Sequence, residues 1–276
     1  MNGPKSILTV ILFLFCVLGL IAVYKTMYAG ASSSVSSEIK PVSLQPNHPG
    51  KESEIQTDKK YLLGKFEPSQ EKDFVEVNSK YTNGRRLYLR QETYEAFIRM
   101  HDAAFQSGIK LIIISATRNF NSQKYIWERK WDGRTAVEGK NLAETVSDPV
   151  ERARIILRFS SMPGTSRHHW GTDIDLNALD NKYFSTGEGK ETYYWLTKHA
   201  SEYGFCQTYT PKGSTRPTGY EEEKWHWSYL PLARLFLDQY TQKVSYDDLK
   251  GFLGWETAKA LRVIKNYVQS INKHCH

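Results

Sequence analysis

Cysteine is scarce in this chain: Cys16, Cys206 and Cys275 are too few and too scattered for a disulfide scaffold or a thiolate-built metal site. Any metal must therefore be held by histidine and carboxylate. There is no glycine-rich phosphate loop and no Gly-x-Ser-x-Gly elbow, which removes the commonest nucleotide-binding and serine-hydrolase signatures. Dense clusters of Lys and Arg are also missing. Lys and Arg outnumber Asp and Glu by 37 to 30, a net charge of +7, but the bases are interleaved with carboxylates along the whole chain. Nucleic acid is thus not an expected partner, and a mildly basic protein acting on an anionic polymer fits better. No internal repeat is visible. Hydrophobic residues at 40% and charged residues at 24% are the composition of a folded globular protein rather than a disordered or multi-pass membrane chain.

One long apolar run stands out, from Ile7 to Tyr24, free of charge and flanked by Lys5 and Lys25. Its length lies near the lower limit for crossing a bilayer, so residues 1–31 read as an export signal or a membrane anchor. Ala29-Gly30-Ala31 offers a small-residue cleavage site, and both outcomes stay open. Residues 32–59 begin Ser-rich, then carry Pro41, Pro46 and Pro49 with little apolar clustering, which describes a flexible linker. Residues 60–276 are expected to form one folded domain.

Within it, Asn83-Gly84 predicts a tight turn, followed by a helix with Tyr94, Phe97, Ile98, Ala104 and Phe105 on its apolar face and ending at Gly108. Leu111 to Ile114 reads as a buried strand and Ser122 to Lys130 as a helix. Asp148-Pro149 with Glu151 resembles a capping box opening a helix from Pro149 to Phe159. Thr172 to Leu176 and Lys224 to Tyr229 alternate as strands, and Glu256 to Ile271 has helical spacing. Helices and short strands without a βαβ rhythm imply an α+β fold.

The densest chemical signal is the stretch Pro163 to Asp175, followed about fifty residues later by Glu223-Lys224-Trp225-His226-Trp227. Two histidines and one carboxylate are a standard zinc set that leaves a coordination position open, and His168, Asp175 and His226 supply it. The turn between His168 and Asp175 must be tight, and Gly171 allows that. Glu223, three residues before His226, is then a candidate general base.

These spacings closely resemble those of the zinc D-alanyl-D-alanine carboxypeptidase and peptidoglycan endopeptidase family, which includes the vancomycin-resistance D,D-carboxypeptidases. The family pattern is Ser-x-His, three residues on to Gly, four more to Asp, and later Glu-x-x-His with Trp before the His; Ser166, His168, Gly171, Asp175, Glu223, Trp225 and His226 match it. Upstream, Ser115-Ala116-Thr117-Arg118 and Gln123 match a Ser-Gly-x-Arg segment followed by Gln, with Ala116 in place of Gly. The resemblance covers Lys80 to Tyr229. There are two departures: Asp173 replaces a small residue and shares a strand face with Asp175, so it is an alternative or supporting carboxylate, and His169 adds a second histidine able to exchange with His168.

The resemblance implies a single compact zinc-peptidase domain, a small antiparallel sheet flanked by helices of the Hedgehog/DD-peptidase kind, with one Zn2+. It implies peptidoglycan stem peptides as substrate, hydrolysis of an amide bond next to a D-amino acid, Arg118 as oxyanion or carboxylate partner, and Gln123 and Ser166 as substrate-positioning groups. A guanidinium suits the first task because it never loses its proton. Carboxypeptidase action is the first reading. An L,D- or cross-bridge endopeptidase and a non-catalytic wall-binding module remain as rivals, the presence of Glu223 favouring an enzyme. The protein would be exported, periplasmic or at the cell surface, and would touch the membrane through its first segment if that is uncleaved. Cys206 and Cys275 either pair in an oxidising compartment or stay apart, the His274-Cys275-His276 ending reads as an exposed frayed tail, and the oligomeric state is undetermined.

Overall fold

The computed structural model describes residues 56–276. The apolar run at 7–24 and most of the linker lie outside the described residues. Among the described residues no helix is long and apolar enough to cross a membrane.

Two small antiparallel sheets organise the chain. β1 (Phe74–Glu76) pairs with β2 (Tyr88–Arg90), and a four-stranded sheet runs in the order β3 (Ile113–Ser115), β4 (Asp173–Leu176), β6 (His226–Tyr229), β5 (Phe205–Gln207). Around them lie α1 (Lys59–Leu62), α2 (Gln91–Gln106), α3 (Phe120–Trp131), α4 (Leu142–Thr145), α5 (Pro149–Ile156), α6 (Gly187–His199) and α7 (Leu230–Lys243). The architecture is α+β.

The central strands separate a hydrophobic face from a chemical one. In β4, Ile174 and Leu176 join a core cluster with Phe97, Ile113, Phe205 and Trp227. A strand alternates with period two, so Asp173 and Asp175 point the other way. The β4–β6 register sets Asp173 opposite Ser228, Ile174 opposite Trp227 and Asp175 opposite His226, which stacks polar residue on polar residue across the pair. A second cluster, built on Trp127, Trp170, Phe236 and Tyr240, gathers the helices.

Local chemistry explains the helices near this face. α3 starts at Asn119, whose side chain accepts from the Ser122 N–H at 2.8 Å, and its buried residues Phe120, Gln123, Trp127 and Trp131 recur at helical spacing. Asp148 caps α5 through the Val150 N–H at 2.8 Å, but the helix stops at Ile156, short of the expected Phe159. Glu151 turns outward to pair with Arg154 rather than closing a capping box. Phe105, expected on the apolar face of α2, is 69% exposed, because that face is carried by Ala96, Phe97, Met100 and Ala104. The expected final helix is broken into a 3-10 turn at Trp255–Thr257 and a π-helical turn at Ile264–Val268, with Arg262 at a left-handed φ of 50° between them. The ending is not frayed: Cys275 is buried and forms a disulfide with Cys206 on β5, Cα to Cα 5.8 Å.

Candidate active site

A 3-10 turn at Arg167–Trp170 precedes β4, and Gly171 closes it with a left-handed φ of 76°. A side chain there would meet Phe74 Cε1 at 2.5 Å and Arg90 Cγ at 2.9 Å, so glycine is required by both conformation and space. This turn brings His168 back over β4. Its ring lies 4.8 Å from that of His226, nearly perpendicular to it.

One donor atom from each of His168, Asp175 and His226 falls within 4.8 Å of the other two, and all three residues are buried. Asp175 Oδ1 stands 3.3 Å from His168 Nε2 and 3.2 Å from His226 Nδ1. The remaining ring nitrogens are engaged: His168 Nδ1 lies 2.8 Å from the Ala116 carbonyl and His226 Nε2 lies 2.8 Å from Asp173 Oδ2. Each contact takes the outer N–H, so that the inward nitrogen is the one that can offer a lone pair to a metal. His168 Nε2 and Asp175 Oδ1 are buried with no hydrogen-bond partner, an arrangement that is costly unless a cation completes it. Two imidazoles and a carboxylate with orphaned, convergent donor atoms fit a zinc ion.

The rest of the sequence-derived set gathers at the same place. Glu223 is buried, its Oε2 3.6 Å from His226 Nδ1. Arg118 donates to Ser115 Oγ at 2.6 Å, to Gln123 Oε1 at 3.0 Å and to Asp175 Oδ2 at 3.4 Å. Gln123 is held in turn by the Ser161 carbonyl at 2.8 Å. Ser166 is buried with an unpartnered hydroxyl. All seven residues line one cavity of about 610 Å³, which Trp225 also lines. Trp170 belongs to the core and Trp227 packs on the far side of the sheet.

The electrostatics follow from burial and pairing. Burial pushes the Glu223 carboxyl up to about 8 against the pull of His226. Burial opposes the charge on Asp175, but His168 and His226 outweigh it and hold the carboxyl well below the usual range. Among the protein's own groups His226 rises to about 9, because hydrogen bonds to Asp173 and Asp175 overcome its desolvation. Burial and the neighbouring Arg118 lower His168.

Asp173 and His169 part from the ligand set. Asp173 is fully buried and accepts from Arg167 Nε at 3.2 Å, Ser228 Oγ at 2.8 Å and Thr172 Oγ1 at 2.7 Å, besides meeting His226. It stands behind the histidine, in a supporting position. His169 uses both ring nitrogens elsewhere, with Nδ1 at 2.6 Å from the Arg118 carbonyl and Nε2 accepting from the Gly164 N–H at 3.0 Å, so it does not exchange with His168. Arg167, Ser228 and Lys130 escaped the reading of the sequence. Ser228 had a signal, since it lies two residues from His226 on the same strand face, and Lys130 had one in its place seven residues after Gln123 on α3.

The family model for VanY, D-alanyl-D-alanine carboxypeptidase, matches residues 86–232, just over half of the chain and all of the clustered side chains. The D-alanyl-D-alanine carboxypeptidase of Enterococcus faecalis (strain ATCC 700802 / V583) is 32% identical over 156 residues, covering 55% of this chain and 51% of that protein. YodJ of Bacillus subtilis (strain 168), a provisionally named carboxypeptidase, is 28% identical over 204 residues, covering 67% of this chain and 66% of that protein. A solved structure of the LdcB LD-carboxypeptidase is similar over 66% of this chain and 81% of that one, with 27% identity and a TM-score of 0.45. The chain thus spans between about half and two thirds of the length of these curated relatives. With the family model extending across every residue from Arg118 to His226, the chain belongs to the VanY family of D-alanyl-D-alanine carboxypeptidases.

Proposed function

We propose that this protein is an exported zinc peptidase that removes the terminal D-alanine from D-alanyl-D-alanine ends of peptidoglycan stem peptides. The observation that carries the reading is the convergence of His168, Asp175 and His226 donor atoms beside a buried Glu223 and an Arg118 guanidinium in one cavity. His168 Nε2, Asp175 Oδ1 and His226 Nδ1 would hold the zinc. Zinc, when bound, supplies Lewis-acid polarisation of a peptide carbonyl and makes water a nucleophile at neutral pH.

The protein's own groups do the rest. Glu223 Oε2, buried beside the donor cluster, takes a proton from the attacking water and returns it to the leaving amine. Arg118, its fork fixed by Ser115, Gln123 and Asp175, stabilises negative charge on the carbonyl oxygen without reorganising. Ser166 offers its unpartnered hydroxyl to the peptide. No side chain attacks the carbonyl, so no covalent intermediate forms on the protein.

Export is supported by the Cys206–Cys275 disulfide, since such bonds persist in oxidising compartments, and by the apolar segment at 7–24. Whether that segment is cleaved or kept as an anchor is decided by the mass of the mature amino terminus.

Incubating the zinc-loaded protein with defined pentapeptide, tetrapeptide and cross-linked muropeptides, then weighing the products, tests the reading. Loss of one alanine from the pentapeptide is expected. No hydrolysis of any wall peptide, or cleavage only within cross-links, would overturn it.

A further inference from the structure

The cavity contains a cation that neither the metal set nor the oxyanion partner employs. Lys130 sits in the last turn of α3, seven residues after Gln123, and lines the cavity along with Arg118 and Glu223. It is half-buried. Its ammonium donates to Ser160 Oγ at 2.6 Å, and among the described residues no carboxylate is in ion-pair contact with it. An ammonium has three donors and a serine hydroxyl is neutral, so both hydrogen-bonding capacity and charge are left over.

The other cations of the cavity are accounted for. Arg118 is in contact with Asp175, and Arg167 with Asp173. Lys182 is exposed at the rim, where water solvates it. Burial works against the Lys130 charge and lowers its pKa, with Glu223 pulling the other way. A partly desolvated cation lining a substrate cavity, with no carboxylate in ion-pair contact among the described residues, is arranged for an anion that arrives with the substrate.

We infer that the Lys130 ammonium receives the free C-terminal carboxylate of the peptide and so fixes the scissile bond next to the chain end. The inference rests on the proposed peptidase reading and deepens it, because it explains exo- rather than endo-cleavage by one charge. A peptide with an internal carboxylate offers the same chemistry from a different place, and the test separates the two.

Binding is read with turnover suppressed, in zinc-loaded Glu223→Gln protein. The probes are diacetyl-L-Lys-D-Ala-D-Ala, its C-terminal amide, and an amidated peptide carrying a γ-D-glutamyl carboxylate. Adding Lys130→Met should weaken binding of the free acid by about 10- to 100-fold and bring the acid-over-amide preference close to one. Lys130→Arg should restore part of that preference. Lys130→Gln, which keeps a donor for Ser160, should behave like Lys130→Met and covers the case in which methionine disturbs folding. An unchanged acid-over-amide preference in the methionine or glutamine variant would overturn the inference, as would a loss confined to the γ-D-glutamyl peptide. Since no turnover is needed, failure of the wild-type protein to hydrolyse wall peptides would remove the carboxypeptidase reading while this measurement still decides the anchor.

Discussion

Two aspartates on one strand, Asp173 and Asp175, are separated by a single residue and meet His226 from different sides. Asp175 contributes an oxygen to the donor cluster, while Asp173 holds the far nitrogen of His226. Asp173→Asn keeps the size but weakens the acceptor behind His226, so zinc affinity should fall by about 10- to 100-fold in competition with a chromophoric chelator. An unchanged affinity would mean that Asp173 serves only its buried contacts with Arg167, Ser228 and Thr172. Glu223→Gln tests the opposite division: it should retain zinc and lose turnover by about two to four orders of magnitude, since glutamine cannot accept the proton. Release of zinc from that variant would make Glu223 a ligand. The spacing of the sequence placed both aspartates on one face and named Asp175 as the ligand, with Asp173 as an alternative or supporting carboxylate; the register with β6, which puts His226 opposite Asp175, is what separates the two in space. The seven-residue spacing to Asp175 favoured His168 over His169 but left an exchange open. Only the sense of the 3-10 turn decides which of two adjacent histidines faces the strand.

At the scale of elements, the turn at Tyr246–Asp248 shows how a short segment is fastened. Asp248 accepts from the Ser245 N–H at 2.8 Å, completing a capping box, and from Lys59 Nζ at 3.0 Å. Burial would raise its pKa, but the Ser245 and Lys59 contacts outweigh it, so the carboxyl lies below 3.8. A depressed carboxyl contributes stability above its unfolded value and loses it as pH falls through the folded value. Asp248→Ala should therefore cost about 1 kcal/mol at neutral pH. The gap between the two proteins in urea unfolding should narrow below 3.8 and close under more acidic conditions. A gap that widens on acidification would contradict this. Strands β3, β4 and β6 and the Asp148 cap of α5 were legible because alternation, short apolar runs and an Asx cap before Pro are local signals. The C-terminal segment was not: its apolar spacing is helical, yet Arg262 adopts a left-handed φ that no local signal announces.

For the whole molecule, the first described residues and the last are both fastened to the body. Thr57 N–H donates to Gln239 on α7 at 2.9 Å, and Lys243 reaches back to the Thr57 carbonyl at 2.6 Å. The far end is closed by the disulfide between positions 69 apart. A loop of that length corresponds to about 4 kcal/mol of restricted unfolded-chain entropy. Reduction, or the paired Cys206→Ser and Cys275→Ser change, should lower the thermal midpoint clearly. Zinc content at 25 °C should be retained, because the donor residues come from β4, β6 and the turn before β4 rather than from β5. Loss of zinc on reduction would show that β5 holds β6 in register. That pairing of cysteines was open in the sequence, since separation along a chain says nothing about reach.

The register of β4 on β6 also bears on the order of events during folding. Asp173 and His226 are 53 positions apart, and the donor cluster exists only once the two strands have met. If the strands pair after the main barrier, zinc can bind only behind it, and the ion acts as a latch on a door already shut. Stopped-flow kinetics should then give a refolding rate indifferent to zinc and an unfolding rate that drops as zinc is added. A zinc-accelerated refolding rate would instead place this strand pair inside the folding nucleus, so the metal would report on how the chain finds its shape as well as on what it cuts.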